Sequence, residues 1–235
     1  MKLTLREKLH QSLYPKSVEP HPFEVFCRDA AVGAGPVLDY GAGRGSDVTR
    51  VLPEGVFVVG ADVGRHVREN AHLSAPVVFG GQSLPFQDHS FGLCIMRWVV
   101  EHLPEPEATF SEVGRVLRPG GRLVILTSNL CFYAYLIARV IPNRVHPAVV
   151  RRVTGRSAKD TFPTYYRANT RSGLRRALER AGFRERVLMG YQRGAGYLDF
   201  SAVTLMLGAA YERFVNSTSA LEGWRQCLIA DFERG

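Results

Sequence analysis

From residue 36 onward, short apolar runs alternate with stretches in which apolar residues recur every three or four positions, a pattern that predicts a parallel sheet covered by helices. The runs are Val37 to Tyr40, Val56 to Val63, Val77 to Gly80, Phe91 to Trp98 and Arg122 to Thr127. Between them, Gly45 to Leu52, Gly64 to Leu73 and Glu107 to Leu117 read as crossover helices. Pro119, Gly120 and Gly121 make a tight turn into the fifth strand, because proline cannot continue a helix and glycine tolerates positive φ. Further on, Thr170 is placed to cap a helix with apolar Leu174, Ala177, Leu178 and Ala181, stopped by Gly182. Arg184 to Tyr191 suits a sixth strand and Gln226 to Phe232 a seventh, the last expected as an antiparallel edge.

Two stretches break the alternation. Asn129 to Tyr166 is apolar, then basic, then aromatic, and is too long for an ordinary loop, so an inserted helical lid is expected there. Asp199 to Asn216 reads as a second helical insertion, apolar on nearly every face around Leu205 to Tyr211. Leu130 to Ile141 is apolar on nearly all faces apart from Arg139 and must bury itself. An acceptor pocket, the second insertion, a partner subunit and a membrane surface are the candidates. Arg144, Arg151, Arg152 and Arg156 would favour an anionic membrane, but packing on the second insertion is preferred.

Composition narrows the class. A chain of 235 residues that is 46% apolar, with mean hydropathy −0.07, supports one sizeable core and excludes disorder and small disulfide scaffolds. The most membrane-like stretch, Leu123 to Ala138, has 16 residues and includes Thr127, Ser128 and Asn129, short of a transmembrane span. Lys2, Arg6, Glu7 and Lys8 stand where a secretory signal would need an apolar region, so a cytoplasmic protein is expected. Cys27, Cys94, Cys131 and Cys227 are far apart, with no CxxC, and read as reduced, mostly buried thiols. The net charge of +8 is local: residues 139–193 hold 14 basic side chains against Asp160, Glu179 and Glu185. Such a segment suits nucleic acid, anionic membrane or an acidic small substrate, or is simply a solvated face.

The strongest local signal is Val37-Leu38-Asp39-Tyr40-Gly41-Ala42-Gly43-Arg44-Gly45, a strand entering a glycine loop that is expected to open a helix. Glycines there let a ligand approach the backbone, and a helix N-terminus would add free N–H donors. The third glycine of a nicotinamide fingerprint is replaced by Ser46. A second acid, Asp62, ends the next strand 23 residues after Asp39, placed to accept hydrogen bonds from ribose hydroxyls. Together these residues point to an adenosine-containing cofactor.

These residues resemble the class I S-adenosylmethionine-dependent methyltransferases, in particular their type 11, mostly small-molecule group. The resemblance continues through Gly60-Ala61-Asp62-Val63, Ser83-Leu84-Pro85-Phe86, Glu101-His102-Leu103 and Glu112-x-x-Arg115-Val116-Leu117-Arg118-Pro119-Gly120-Gly121. It implies a Rossmann-like, seven-stranded, mostly parallel sheet in the order 3-2-1-4-5-7-6, with helices on both faces and the two lid insertions. The organisation expected is a single domain with a cap over 1–34, a cofactor half over 35–128, and insertions over 129–166 and 195–222.

The resemblance also implies roles for individual residues. Asp39, Gly41, Ala42 and Gly43 would hold the methionine end of S-adenosyl-L-methionine, Asp62 the ribose, and Gly81, Gln82 and Ser83 the adenine edge, with Val63 a further cofactor-binding residue. Arg97 would lie beside the donor and, with Trp98, could meet an anionic or aromatic acceptor. His102 is the candidate base, its alternative a fold-supporting histidine, and Tyr165 and Tyr166 are candidates to close the lid. Tyr14 and His21 belong to the segment that often covers the cofactor in this family. Two departures stand out: Gly80 replaces an acid that caps the adenine amino group, and Gly92 replaces an aspartate. No metal is implied, because Met96-Arg97-Trp98 brings no carboxylate to the end of the fourth strand. The partner expected is a small-molecule acceptor, with nucleic acid disfavoured, peripheral membrane contact open, and a monomer or homodimer. The alternatives are an RNA or other macromolecular methyltransferase using the arginine-rich face, and a protein that binds the donor without transferring methyl.

Overall fold

The computed structural model describes residues 3–15, 20–45, 47–81, 83–140 and 163–235. Its strands are β1 (Val37–Tyr40), β2 (Val58–Asp62), β3 (Ala75–Val78), β4 (Phe91–Arg97), β5 (Leu117–Ser128), β6 (Phe183–Tyr191) and β7 (Cys227–Arg234). Among the described residues the α-helices are α1 (Leu5–Leu13), α2 (Pro22–Ala31), α3 (Pro106–Val116), α4 (Tyr133–Val140), α5 (Arg171–Arg180) and α6 (Ala202–Asn216). The chain forms two compact units: residues 20–128, 164–189 and 228–235 make a sheet unit, and residues 1–19, 129–163 and 190–227 make an insertion unit.

The strands form one sheet in the order β3-β2-β1-β4-β5-β7-β6. β1 pairs in parallel with β2 and β4, β2 with β3, and β4 with β5. β7 runs the other way: Arg234 bonds the carbonyl of Leu117 while Arg122, further along β5, bonds Asp231, earlier in β7. It is therefore antiparallel as expected, but it lies inside the sheet and β6 takes the edge. The sequence carries the reason. Leu228, Ile229, Ala230 and Phe232 are all fully buried, and a strand apolar at successive positions needs cover on both faces. Leu38, Met96, Phe110, Ile125, Leu174 and Phe232 belong to the continuous core that results.

Two of the expected crossover helices are only short 3-10 turns, Asp47–Val51 and Arg65–Glu69. In the first, the turn closed by Val56 N–H on the Pro53 carbonyl, at 3.4 Å, follows almost at once. In the second, buried Asn70 accepts from His72 N–H at 3.1 Å and donates to the Ala42 carbonyl at 3.4 Å. Such side-chain bonds offer the backbone an alternative to continuing a helix. The longer patterns keep their helices. Thr170 caps α5 by accepting from Gly173 N–H at 3.1 Å, and Gly182, at φ +84°, follows its end.

Pro119-Gly120-Gly121 lies within β5 rather than before it. Phe91 pairs with Leu117 but Leu93 pairs with Arg122, so the intervening residues bulge out of the ladder. Opposite the bulge, a Cβ added at Gly92 would sit 2.0 Å from the Ala34 carbonyl oxygen, while Gly92 N–H bonds the Pro36 carbonyl at 3.2 Å. Backbone cannot yield as a side chain can, which explains why this chain departs from aspartate there. Gly92→Asp should destabilise the protein by about 1–3 kcal/mol, read as a lowered midpoint in urea unfolding; an unchanged midpoint would contradict the close approach.

In the insertion unit, fully buried Phe132 is the hub of an aromatic cluster. Its ring centroid lies 4.2 Å from Tyr133, 5.7 Å from Tyr211 and 6.2 Å from Tyr197. The apolar segment at α4 thus packs on the second insertion, as its composition required. Ile141 and the following residues through 162 lie outside the described residues, and with them Arg144, Arg151, Arg152, Arg156 and Lys159 of the arginine-rich stretch.

Candidate functional site

The site is built where β1 and β2 end side by side. The chain leaves β1 through Gly41, whose N–H bonds the Ala61 carbonyl at 2.7 Å. Gly41 has φ +77°, and a Cβ there would come within 2.4 Å of Val99 Cγ2, so both conformation and packing demand glycine. At Gly43, φ +58°, an added Cβ would meet nothing within 4 Å: the loop presents open backbone. Because the five-residue turn that follows is too short to act as a helix N-terminus, the donors available here are the loop's own N–H groups.

Asp62 ties this loop to β2. Its Oδ2 accepts from Gly43 N–H at 3.0 Å and its Oδ1 from Gly64 N–H at 2.7 Å, with His66 Nε2 at 3.7 Å. A carboxylate offers about four acceptor positions, so two remain for hydroxyl donors. Asp39 is 1% exposed in the middle of the sheet, flanked in register by Gly60 and Ile95. Its negative charge and, above all, burial push the thiols of neighbouring Cys27 and Cys94 well up, so both remain protonated.

Val63 and Gly81 come together beyond β2. Val63 is 54% exposed, and a Cβ on Gly81 would lie 3.3 Å from its Cγ1. Ser83 is exposed beside them, while Gln82 lies outside the described residues. At Gly80 a Cβ would find open space, so the missing acid leaves room and no functional group. The next loop is pinned from α3. Glu112 accepts from Leu84 N–H at 2.7 Å, and Arg115 donates to the carbonyls of Leu84 and Phe86 and to Asp88 at 2.6 Å. The Arg115 guanidinium holds the Glu112 and Asp88 carboxyls below the usual range. The landmark Glu112-x-x-Arg115 therefore acts on the landmark Ser83 to Phe86, a link that spacing alone did not show.

At the end of β4, Trp98 adopts φ +59° and is 40% exposed, so its ring is not packed in the core. A bulky residue at positive φ is strained and often marks a functional position. Together with half-buried Arg97 it lines a cavity of about 120 Å³ that also includes His21, Glu24, Val48 and Leu126. His21 is there because it caps α2, accepting from Phe23 N–H at 3.2 Å. Tyr14 belongs to the insertion unit instead, where burial and Glu212 raise its hydroxyl's pKa.

His102 is half-buried in a 3-10 turn just past Trp98, its N–H on the Val99 carbonyl at 2.8 Å. Its neighbour Glu101 organises the surroundings, a role the sequence did not reveal. Buried at 6% exposure, Glu101 accepts from Thr127 Oγ1 at 2.8 Å and Ser128 Oγ at 3.2 Å. Asn169 donates to Thr127 Oγ1 at 2.7 Å and to the Ser128 carbonyl at 3.1 Å. The Glu101 carbonyl in turn receives the N–H groups of Tyr165 and Tyr166 at 2.8 and 3.2 Å. That anchors the backbone of both tyrosines on the residue preceding His102, with Tyr165 46% exposed and Tyr166 half-buried at φ +51°. Among the described residues no group of three His, Cys, Asp or Glu is arranged to hold a metal, and no helix is long and apolar enough to cross a membrane.

The strand order is the one expected of the class I S-adenosylmethionine-dependent methyltransferase fold, and the glycine loop before Asp62 and the pinned loop after β3 fall where the resemblance places its landmarks. Residues 38–125 match the sequence profile of a methyltransferase domain. An uncharacterized methyltransferase of Mycobacterium marinum is 34% identical over 104 residues, 42% of this chain and 41% of that protein. A demethylmenaquinone methyltransferase of Corynebacterium kroppenstedtii is 32% identical over 91 residues, 38% of this chain and 40% of that protein. The match thus spans about two fifths of these curated relatives' length. Among solved structures, the geranyl diphosphate C-methyltransferase of Streptomyces coelicolor, in complex with Mg2+, geranyl diphosphate and S-adenosyl-L-homocysteine, shares the fold. It superposes with TM-score 0.56 at 15% identity, covering 90% of this chain and 78% of that one.

Proposed function

We propose that this protein transfers the methyl group of S-adenosylmethionine to an O or N atom of a small, anionic or amphipathic metabolite in the cytoplasm, acting as a monomer or homodimer. The observation that carries the reading is the open glycine loop at Gly43, held by an aspartate that keeps acceptor capacity to spare. When bound, the sulfonium supplies a methyl group already activated for in-line attack. The chain's own task is alignment and exclusion of water. Asp39 with the backbone of Gly41, Ala42 and Gly43 holds the donor's amino-acid end; Asp62 takes the ribose hydroxyls; Val63, Gly81, Gln82 and Ser83 border the adenine. Arg97 and Trp98 face the acceptor, while His102 is placed to accept its proton and Tyr165 and Tyr166 to enclose it. Relatives named for demethylmenaquinone and geranyl diphosphate support a small, lipophilic or anionic acceptor over a macromolecule.

The cofactor half of this reading is tested first. S-adenosylhomocysteine at about 100 times its Kd should stabilise the fold by about 2.7 kcal/mol, a rise of several degrees in melting temperature. No shift at millimolar ligand overturns the assignment. The acceptor is then sought by incubating the protein with labelled donor and a metabolite extract, with mass spectrometry of the product.

A further inference from the structure

We propose that His66 is a positioning residue for donor binding, acting through Asp62 and making affinity for the donor depend on pH. The inference rests on Asp62 as the acceptor of the ribose hydroxyls. His66 lies in the 3-10 turn Arg65–Glu69, its Nε2 3.7 Å from Asp62 Oδ1, with the two side chains 23% and 10% exposed. Gly64 makes this approach possible. Its φ of −87° is open to any residue, but a Cβ there would overlap the imidazole, so the glycine seats the ring beside the carboxylate rather than bending the chain.

At 3.7 Å the pair is too far apart for a hydrogen bond. The N–H groups of Gly43 and Gly64 already occupy two acceptor positions of Asp62, and uncharged His66 leaves the other two to the ribose. Protonated His66 carries an N–H on both ring nitrogens and a positive charge, and a shift of about 1 Å turns the contact into a charge-assisted bond that takes one of those two positions. The donor therefore binds less tightly as pH falls through the range, about pH 8 to 5, in which histidine ordinarily gains its charge. The other ionisable groups around this turn are Arg65, Arg68, Glu69 and His72, with Arg44 of the glycine loop 3.4 Å from Glu69. All five are exposed, where water screens them, and β3 brings no ionisable side chain.

The experiment is isothermal titration of the full chain with S-adenosylhomocysteine at about pH 8 and about pH 5.5, on either side of the ordinary histidine range. For the parent protein Kd should rise about tenfold at the lower pH, the weight of one hydrogen bond to a charged group. His66→Gln gains no charge, so its Kd should change by no more than about twofold between the two conditions, although His21 and His102 are still present. Asp62→Ala should bind weakly and with no pH dependence. Melting curves at both pH values show that each variant is folded. An equal Kd for the parent at both pH values, or a pH dependence that His66→Gln or Asp62→Ala retains, overturns this inference and leaves the donor reading in place. No binding by the parent at the higher pH, or Asp62→Ala binding as tightly as the parent, overturns the ribose reading and this inference with it.

Discussion

Asp231→Ala is expected to lower the stability of the protein by about 3–5 kcal/mol, the loss typical of breaking a buried ion pair by removing one partner. Asp231 is 3% exposed in β7 and receives a two-pronged bond from Arg122 on β5, 3.0 Å from Nε and 2.5 Å from Nη2, with Arg186 of β6 at 3.6 Å. It therefore ties β7 to the strands on either side of it, against both of which β7 runs antiparallel. Without the carboxylate, the Arg122 guanidinium is left largely buried with no counter-charge, and that desolvation, more than the lost attraction, is the cost. For a chain of this size the melting temperature should drop by roughly 10 °C or more. The pair need not favour folding over an apolar alternative, so Arg122→Met combined with Asp231→Leu should recover much of the loss. Urea unfolding of the three proteins measures both effects. A loss below about 1 kcal/mol in Asp231→Ala would mean that water screens the pair.

How much of this was legible beforehand depended on what kind of signal each element leaves. The strand runs were visible because both faces of the sheet are covered, so β1 and β4 read as unbroken apolar stretches. At β7 the local reading of Gln226 to Phe232 as an edge does not hold, since a run without polar alternation has the pattern of an interior strand; the order 3-2-1-4-5-7-6 that the family resemblance implies, with β7 inside, is the one found. Crossovers were harder. Gly45 to Leu52 and Gly64 to Leu73 had the length of helices, but Asn70 and the turn at Pro53 won by local hydrogen bonding, which periodicity does not register. The glycine loop and Asp62 were legible because they depend on residue identity at fixed spacing. Glu101 was not, because its role depends on Thr127, Ser128 and Asn169, which are distant in sequence and carry no motif of their own. Arg115 and Glu112 lay between: their spacing was noticed, but only the folded chain shows that they fasten the loop from Leu84 to Asp88.

The second large effect is expected at Asp62. Asp62→Ala should weaken binding of S-adenosylhomocysteine by about 1.5–3 kcal/mol, or roughly 10- to 150-fold, the range for hydrogen bonds to a charged group. Two losses combine. The hydroxyl donors of the ligand lose their acceptor, and the N–H groups of Gly43 and Gly64 lose the carboxylate that fixes the loop. Ligand choice separates this role from that of Asp39. Methylthioadenosine keeps the ribose and lacks the amino-acid end, so Asp62→Ala should weaken it by nearly the same factor as S-adenosylhomocysteine. Asp39→Ala, acting at the amino-acid end, should spare methylthioadenosine. Isothermal titration with both ligands on both variants distinguishes the cases, and a melting curve for each variant shows whether the fold survives. If Asp62→Ala binds S-adenosylhomocysteine as tightly as the parent, the aspartate serves only to fasten Gly43 and Gly64, and the ribose must be held by another group.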